Sequence, residues 1–358
     1  MATFGDIAKG FDYGMNAAAK SFDGNNKYIR ITDIDEVSSQ YLYDDVVSPD
    51  GELEDRYLVK ENDILLARTG ASTGKSYLYR NSDGKLYFAG FLIRANIYKH
   101  NSYFVFSQLH TLRYKKWISV MSARSGQPGI NSQEYASFPV YTTSLQEEDK
   151  IATFLKLLDE RIITQNKIIE DLNKLKSAIS ECIFNSIKGD VVMLSEICDI
   201  VKGKQINGEY LSESGEYYVM NGGTEPSGYY SEYNVKANTI SISEGGNSCG
   251  YVQFNNFPFW SGGHCYSLQN IADIVDNLYL YHYLKSKEEA IMKLRIGSGL
   301  PNIQKKDLAM FKTIVPLFEQ QITISTFLSS LERKAEIEER ILNVMQKQKL
   351  YLLQQMFI

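Results

Sequence analysis

Two long stretches of the chain place apolar residues at alternating intervals of four and three positions. In the first stretch these positions are Ile151, Leu155, Leu158, Ile162, Ile169, Leu172, Ile179 and Ile183. In the second they are Ile324, Leu328, Leu331, Ala335, Leu342, Met345, Leu352 and Met356. This heptad spacing is typical of helices that pack along one another. Ser144, followed three residues later by Glu147, has the pattern of a capping box at the start of the first helix.

Polar residues interrupt the two apolar seams at matching places. Gln165 corresponds to Glu338, and Lys176 corresponds to Lys349. Shared seams with shared interruptions predict that the two helices pack on each other, and a pseudo-two-fold relation would make them antiparallel. A helix of about 38 residues would be about 57 Å long, at 1.5 Å per residue. The alternative is that each seam packs its helix onto its own globular domain.

The helical stretches belong to an internal repeat with a shift of 173 residues. Residues 125–184 align without a gap on residues 298–357, and 15 of the 60 pairs are identical. Weaker similarity extends upstream in three pairs of segments: 64–74 with 240–250, 88–90 with 260–262, and 7–10 with 200–203. We infer a tandem duplication, in which a globular domain precedes each long helix.

The expected fold class is α+β, with two mixed α/β domains separated by two long antiparallel helices in a pseudo-two-fold repeat. Short β-rich runs at 76–79 and 251–254 are separated by clusters of turn residues, and helical patterns occur late in each domain, at 103–121 and 276–294. The domain bounds that follow from the repeat are 1–143, 144–190, 191–315 and 316–358.

Composition limits the class of protein. The 358 residues are 44 % hydrophobic and 23 % charged, as in ordinary globular proteins. No uninterrupted apolar run reaches membrane-spanning length, and the N-terminal segment lacks a signal-peptide pattern. Four scattered cysteines do not form a disulfide framework, so we expect a reducing cytoplasm. The net charge of −5 argues weakly against nucleic-acid binding.

Two glycine-rich turns are similar to enzyme motifs, but their context argues against both. The segment 70–76 resembles a phosphate-binding P-loop, yet its spacer is one residue short and a strand pattern follows it. The segments 70–74 and 246–250 both match the Gly-x-Ser-x-Gly motif of serine hydrolases, which must lead from a strand into a helix. We therefore interpret the two segments as one tight turn that was inherited twice.

We predict neither a catalytic centre nor a metal site in this chain. Cys249, His264 and Cys265 are one ligand short of a structural zinc site, and neighbouring residues in a strand point to opposite faces. The cysteines are expected to be small buried apolar residues. The segment at 256–259 lacks the first proline of the (Asp/Asn)-Pro-Pro-(Tyr/Phe) motif of adenine methyltransferases.

The junctions between domain and helix resemble the conserved regions of type I restriction–modification specificity subunits. In the second half these are the Ser-Gly-x-Pro-x-Ile segment at 298–303, Val-Pro-Leu at 315–317, Glu-Gln at 319–320, Ile324 and Phe-Leu at 327–328. The first half repeats the signature at 125–130 and 151–155, but has Gln146-Glu147 in place of Glu-Gln and Thr143 in place of proline. The turn at 70–75 is also similar to a Gly-Ala-Ser-x-Gly-Lys turn of that family.

The resemblance implies a non-enzymatic DNA-specificity subunit that binds double-stranded DNA. Residues 1–143 and 191–315 would be target-recognition domains, each for one half of a split sequence, and the spacer helices would set the gap. Two methyltransferase subunits would supply S-adenosylmethionine, and a nuclease motor subunit that uses ATP and Mg could join. Alternatives are a related split-site system with a fused methyltransferase–nuclease partner, a protein-only coiled-coil scaffold and, more remotely, a hydrolase or NTPase.

Candidate DNA contacts lie first in the glycine turns, where backbone amides can approach phosphate and long polar side chains can pair with bases. They are Arg68, Ser72, Thr73 and Lys75 in the first turn and Asn247, Ser248 and Tyr251 in the second, followed by Arg124, Gln127, Lys202, Lys204 and Arg295. The alternative for each residue is that it braces the fold or is solvated surface. Residues 1–140 have 16 basic and 16 acidic side chains, and residues 191–315 have 10 and 13. Phosphate binding must therefore come from local clusters or from partners.

Overall fold

The computed structural model describes residues 1–123, 127–297 and 301–357. Contacts divide the chain into two compact units, Met1–Lys167 with Arg340–Ile358, and Ile168–Glu339. We call them unit 1 and unit 2. Their globular parts, before each long helix, are head 1 and head 2. The division falls within both long helices, so each unit contains one head, the start of one long helix and the end of the other.

Unit 1 is built of short strands and helices that precede the first long helix. The strands are β1 (Ala2–Thr3), β2 (Ala8–Tyr13), β3 (Ala18–Ser21), β4 (Lys27–Ile29), β5 (Val47–Asp50), β6 (Asp63–Ala67), β7 (Ser76–Leu78), β8 (Leu86–Phe88), β9 (Leu92–Ile97) and β10 (Pro139–Val140). The helices are α1 (Phe4–Ile7), α2 (Ser102–Gln108), α3 (Leu112–Met121), α4 (Ser132–Ala136) and the long α5 (Leu145–Ser186), which continues into unit 2.

Unit 2 has the same kinds of elements in the same order. The strands are β11 (Asp190–Met193), β12 (Asp199–Lys202), β13 (Tyr217–Met220), β14 (Tyr229–Tyr230), β15 (Thr239–Ser243), β16 (Val252–Asn255), β17 (Trp260–Ser261), β18 (Cys265–Gln269) and β19 (Lys312–Val315). The helices are α6 (Leu194–Ile197), α7 (Asn277–Ser286), α8 (Glu288–Met292), α9 (Lys305–Ala309) and the long α10 (Phe318–Met356). Among the described residues, no helix has both the length and the apolarity that crossing a bilayer requires.

The central sheets of the two heads are equivalent. In head 1 the strand order is β2-β9-β6-β7, and in head 2 it is β12-β18-β15-β16, with antiparallel neighbours throughout. Each head also has one parallel pair, β4 with β8 or β13 with β17. A further pair, β1 with β10 or β11 with β19, brings the start of the head beside the strand before the long helix. The predicted mixed α/β repeat is therefore confirmed.

The helical patterns late in each head are also confirmed, but each is split into two helices. The pattern at 103–121 forms α2 and α3, and the pattern at 276–294 forms α7 and α8. The break before α3 has a local cause, because the Tyr114 backbone N–H donates to Thr111 Oγ1 at 3.2 Å. A threonine in this N-cap position begins a new helix rather than continuing the old one.

Two parts of the sequence alignment were wrong. Residues 88–90 correspond to 261–263 rather than to 260–262. The match of residues 7–10 with residues 200–203 was also wrong. Helix α1 ends at Ile7 and α6 ends at Ile197, and each leads into the edge strand of its central sheet. Ile7 therefore corresponds to Ile197. A bulge early in β2 lengthens that strand relative to β12. The extra residue changes the shift between the two heads by one position, whereas the alignment of Ile7 with Ile200 was already wrong by three positions before the bulge.

Each head core contains side chains from both long helices. In unit 1, Leu155 near the start of α5 and Phe357 just after the end of α10 lie in the core of head 1. In unit 2, Leu328 near the start of α10 and Phe184 near the end of α5 lie in the core of head 2. Truncating a buried leucine of this kind costs about 2–5 kcal/mol, so these contacts stabilise the heads as well as the helices. Of the predicted seam residues only Met356 is exposed.

Within each unit the two helices run antiparallel and are joined by an ion pair. In unit 1, Lys349 Nζ lies 2.5 Å from Asp159 Oδ1. In unit 2, Lys176 Nζ lies 3.3 Å from Glu332 Oε1. The 173-residue shift of the repeat relates Asp159 to Glu332 and Lys176 to Lys349. The two ion pairs are therefore equivalent, and the predicted antiparallel arrangement is confirmed in each unit.

A fully buried polar side chain near the start of each long helix binds the adjoining head. Glu148 of α5 accepts hydrogen bonds from the Asn101 backbone N–H at 2.9 Å and lies 2.8 Å from His100 Nδ1. Gln321 of α10, its counterpart, accepts from the Asp276 backbone N–H at 2.8 Å. Asn101 and Asp276 are the N-cap residues of α2 and α7. Each anchor therefore fixes α2 or α7 to the long helix that follows its head.

A histidine lies close to the helix ion pair in each unit, half-buried in unit 1 (His110) and buried in unit 2 (His282). Burial lowers the pKa of His110 to about 4, and the Lys349 ammonium acts in the same direction. Burial also lowers the pKa of His282 to about 4, and its Nε2 lies 2.9 Å from Ser329 Oγ. Both imidazoles are therefore neutral in the folded protein at pH 7. In the unfolded chain the pKa of histidine is near 6.5, so these side chains bind protons as the pH falls through that value.

Lowering the pH from 7 to 5 should reduce the free energy of unfolding, because the unfolded chain gains protons that the two imidazoles reject in the folded protein. The loss should begin near pH 6.5, continue to about pH 4, and amount to about 1–2 kcal/mol for each histidine by pH 5. Chemical unfolding at a series of pH values measures it. The double variant His110→Gln/His282→Gln should show a shallower pH dependence. The exposed His264→Gln is the matched control, and equal slopes in all three proteins would contradict the assignment.

Candidate functional site

In each head, the glycine turn is hydrogen-bonded to the proline segment that precedes the long helix. The Gly70 backbone N–H donates to the Pro128 carbonyl at 3.0 Å, and the Gly246 N–H donates to the Pro301 carbonyl at 3.0 Å. The turn and the proline segment were separate motifs in the sequence, and the structure joins them in one site per head. The neighbouring residues 124–126 and 298–300, which include the candidate Arg124, lie outside the described residues.

The last glycine of each turn requires its own backbone conformation and a close neighbour. Gly74 and Gly250 both have φ of +93°, and an added Cβ would lie 2.9 Å from side-chain atoms of Ile118 and Met292, respectively. The turns therefore pack closely against α3 and α8. They lead into the strands β7 and β16 rather than into helices. Neither a P-loop nor a nucleophile elbow has this geometry.

Arg68 and Glu244 occupy the same position, directly before the turn of each head. The Ile130 backbone N–H donates to the Arg68 carbonyl at 2.9 Å, and the Ile303 N–H donates to the Glu244 carbonyl at 2.8 Å. The backbone is thus the same, whereas the side chains carry opposite charges. The sequence analysis selected Arg68 as a candidate DNA contact and passed over Glu244.

The residue at the end of the edge strand faces this position in each head. The residues are Tyr13 of β2 and Lys202 of β12, which have equivalent partners in the neighbouring strands β9 and β18. In head 1 the Arg68 guanidinium lies over the Tyr13 ring, with 4.9 Å between its central carbon and the ring centroid. In head 2, Lys202 Nζ lies 2.5 Å from Glu244 Oε1. The sequence analysis missed Tyr13 because a tyrosine in a strand is more often part of the packing than of a binding site.

Two candidates of the first turn make internal contacts. Lys75 is mostly buried, and its ammonium donates to the Ile34 carbonyl at 3.0 Å and lies 3.4 Å from Glu36 Oε1. The Thr73 hydroxyl donates to the Gly70 carbonyl at 2.7 Å. These contacts close the turn and attach it to the preceding loop. Both residues stabilise the turn by these bonds, and their contact with DNA stays a prediction.

The remaining candidates differ in how much of the side chain is available. Tyr251 has the Lys285 ammonium 3.9 Å from its ring centroid, and its backbone N–H donates to the Ser248 carbonyl at 2.9 Å. The Ser72 carbonyl likewise accepts from the Lys75 N–H at 3.0 Å. Five of the described candidates are exposed: Gln127, Lys202, Lys204, Asn247 and Arg295.

The sulfur-containing residues near the second turn are in apolar surroundings. Cys249 belongs to the core of head 2, and Cys265 belongs to a smaller apolar cluster beside it. Burial raises the pKa of the Cys265 thiol to about 11. His264 is exposed and lies 3.6 Å from Glu244 Oε2. Within residues 1–123, 127–297 and 301–357, no group of three or more His, Cys, Asp or Glu side chains could hold a metal ion.

Comparison with known proteins gives a family for both halves of the chain. Residues 4–174 and 188–347 match the type I restriction modification DNA specificity domain. A protein of Mycoplasma pneumoniae, named as a type I specificity subunit, is 33 % identical over 156 residues, which are 43 % of this chain and 41 % of that protein. The chain thus spans less than half the length of this relative.

Two solved structures have a similar fold. One is the S subunit of a type I restriction–modification system from M. genitalium, with a TM-score of 0.72, 17 % identity, and coverage of 99 % of this chain and 95 % of that chain. The other comes from a study of complex assembly and conformational transition in the type I R-M system, with a TM-score of 0.55, 15 % identity and 97 % coverage of both chains. With both of its halves matched, the chain belongs to the type I restriction modification DNA specificity domain family.

Proposed function

We propose that this protein is the DNA sequence-specificity subunit of a type I restriction–modification system. Each head would bind one half of a split double-stranded target, and the gap between the halves would remain unread. The observation that carries the proposal is the presence of the same turn and proline site on the same sheet in both heads. Two equivalent readers on one chain suit two half-sites, as in dimeric DNA-binding proteins. Family membership supports DNA as the ligand.

The charge of the heads indicates how tightly they would bind DNA without help. Residues 1–140 have 16 basic and 16 acidic side chains, and residues 191–315 have 10 and 13. Phosphate contacts from an excess of Lys and Arg provide most non-specific affinity for DNA. We therefore expect the isolated chain to bind DNA weakly, with partner subunits providing much of the phosphate contact. The heads would contribute base recognition in the major groove.

Exposed apolar residues on the long helices support two equivalent partner sites. Phe154 in unit 1 and Phe327 in unit 2 are related by the repeat, and they are 47 % and 45 % exposed. Ile341 and Ile168 form a second related pair, at 37 % and 40 %. Exposed apolar side chains that recur at equivalent positions of both units are candidates for protein–protein contacts. We propose that one methyltransferase subunit docks at each of the two surfaces.

The chemistry would belong to these partners. We propose that the methyltransferase subunits bind S-adenosylmethionine and transfer its methyl group to adenine within the target. A nuclease motor subunit that uses ATP and Mg²⁺ would join them for restriction. The similarity to a structure from a study of type I complex assembly supports these partners. Such a complex acts on cellular DNA, so we expect the protein in the cytoplasm.

Co-expression of the chain with a matching adenine methyltransferase subunit should methylate host DNA at a two-part motif with a constant gap. The physical reason is that two heads on one support bind two half-sites at a fixed distance. Single-molecule sequencing of the host genome detects the modified adenines. Either protein expressed alone is the control and should give no such motif.

Replacing residues 1–143 by the equivalent head of another family member should change one half-site only. Absence of sequence-specific methylation with the full pair would contradict the function.

Charged substitutions at the exposed phenylalanines should remove the partner subunits one at a time. Phe154→Asp or Phe327→Asp alone should reduce the number of bound methyltransferase subunits from two to one, and the double variant should bind none. The expected loss of affinity at each altered site is at least tenfold, because a desolvated contact would contain an unpaired charge. Light scattering during gel filtration measures the stoichiometry. Asn173→Asp with Gln346→Glu, another exposed pair related by the repeat, is the matched control. Unchanged stoichiometry in the double variant would exclude this surface.

Lengthening both helices by one heptad should widen the gap in the recognised motif. Seven residues inserted after Leu172 and seven after Met345 would preserve the seam and extend the helices by about 10 Å, or about 3 base pairs. The outer ion pairs, Asp159 with Lys349 and Lys176 with Glu332, would stay aligned. Methylation mapping should give both half-sites unchanged and farther apart. The insertion after Leu172 alone is the control and should abolish methylation, because it misaligns the pairs. An unaltered gap would contradict a spacing role for the helices.

A further inference from the structure

A pocket of about 570 Å³ lies beside the glycine turn of head 1. Its lining includes Tyr13 and Arg68, together with Phe91, Asn16 and Arg30. The first three come from the strand ends that surround the turn. The pocket is therefore part of the site described above, and its chemistry indicates what part of a DNA target the site would take.

Arg68 has a fixed backbone, and its guanidinium contacts the Tyr13 side chain. Its N–H donates to the Phe91 carbonyl at 3.1 Å, and its carbonyl accepts from the Ile130 N–H at 2.9 Å. Its Nε is buried and makes no hydrogen bond. Among the described residues no carboxylate lies within 4.0 Å of it. Arg30 in the same pocket differs, because it is hydrogen-bonded to Asp33 and Asp45. A buried donor without a partner is costly unless a ligand provides the acceptor.

Tyr13 and Phe91 both line the pocket that contains this guanidinium. Tyr13 lies under the guanidinium plane, and the Ser132 backbone N–H donates to the Tyr13 hydroxyl oxygen at 3.2 Å. That hydrogen bond lowers the pKa of the Tyr13 hydroxyl, and the Arg68 charge adds to the effect. Phe91 is 61 % exposed although it is large and apolar. Stacking on a ring holds the arginine guanidinium in one plane. Its two parallel N–H groups, the guanidinium fork, can then donate to two acceptor atoms that lie in that plane.

At the equivalent position of head 2, the charged side chain is paired with another side chain of the same head. Glu244 replaces Arg68, and its carboxylate lies 2.5 Å from Lys202 Nζ and accepts from the Tyr266 hydroxyl at 3.1 Å. His264 replaces Phe91, because the Glu244 N–H donates to the His264 carbonyl as the Arg68 N–H does to that of Phe91. The third position has Lys202 in place of Tyr13. Head 2 therefore has an internally paired carboxylate at this position in place of a guanidinium.

We propose that Arg68 is a specificity-determining residue that recognises one guanine in the half-site bound by head 1. The guanidinium fork would donate to guanine O6 and N7 in the major groove, which is the commonest specific contact of arginine with DNA. Tyr13 holds the plane of the fork, and Phe91 provides an apolar wall for the neighbouring base. Head 2 lacks these groups, so the two half-sites differ at the corresponding position. The inference rests on the proposed function and adds the base and the residue to it.

A phosphate offers a similar pair of acceptor oxygens, and the choice of variants separates the two ligands. Arg68→Lys keeps the charge and loses the fork, whereas Arg68→Ala loses both. A guanine contact depends on the fork, because lysine cannot hold two acceptors in one plane. A phosphate contact depends mainly on the charge and affects all DNA sequences alike. If Arg68 contacts guanine, the two variants should therefore behave alike. If Arg68 contacts phosphate, they should differ.

The experiment maps adenine methylation by the full complex that contains each variant. With the wild-type chain, the half-site that changes on replacement of residues 1–143 should contain a guanine. In both Arg68 variants, discrimination against other bases at that one position should fall by about 5- to 150-fold, since one bidentate contact contributes about 1–3 kcal/mol. Phe91→Ala should weaken recognition of the base beside it. Glu244→Gln in head 2 is the control and should leave the half-site of head 1 unchanged.

Each other outcome has a defined meaning. Equal loss of methylation at all sites in Arg68→Ala, with wild-type behaviour in Arg68→Lys, would assign Arg68 to a phosphate and overturn the inference. A head 1 half-site without guanine, or an unrelaxed motif in both variants, would also overturn it. An unchanged half-site for head 2 in the same data shows that the variant complex is folded and active. If the wild-type complex methylates no two-part motif, the proposed function itself fails.

Discussion

The structure depends on the fact that neither head encloses its core alone. The core of head 1 contains Leu155 from the start of α5 and Phe357 from the end of α10. Head 2 is closed in the same way by Leu328 and Phe184. The antiparallel helix pair is therefore not an appendage of the heads, because its two ends are parts of their interiors. The buried anchors Glu148 and Gln321 add hydrogen bonds at the same junctions.

Much of this architecture could be predicted from the sequence, because periodicity and repetition carry long-range information. The apolar seams gave the helices, and the matching polar positions Lys176 and Lys349 indicated their antiparallel pairing, which the ion pairs with Glu332 and Asp159 explain. The bulge in β2 could not be predicted, since one extra residue leaves no mark in composition. Sheet register is a property of paired strands, so local similarity placed residues 7–10 against the wrong partners.

The candidate site was harder to predict than the fold. Sequence reasoning selected cations and turn residues by type, so it did not distinguish Arg68 from Lys75, whose ammonium binds Ile34 and Glu36 inside the head. It passed over Tyr13, because an aromatic residue at a strand end is usually interpreted as packing. Whether a cation is available depends on its neighbours in space, and those neighbours come from strands that are distant in sequence. The duplicated backbone keeps these positions in place while their side chains diverge.

The position of Phe357 has a consequence for the order in which the protein forms during synthesis. Head 1 is made first, yet its core includes Leu353 and Phe357, which follow the whole of head 2 in the sequence. The ribosome therefore synthesises these two residues after head 2. The core of head 2 itself uses residues no later than Leu331. The half of the protein that is translated first is therefore the half that is completed last, and it exposes part of its interior until then.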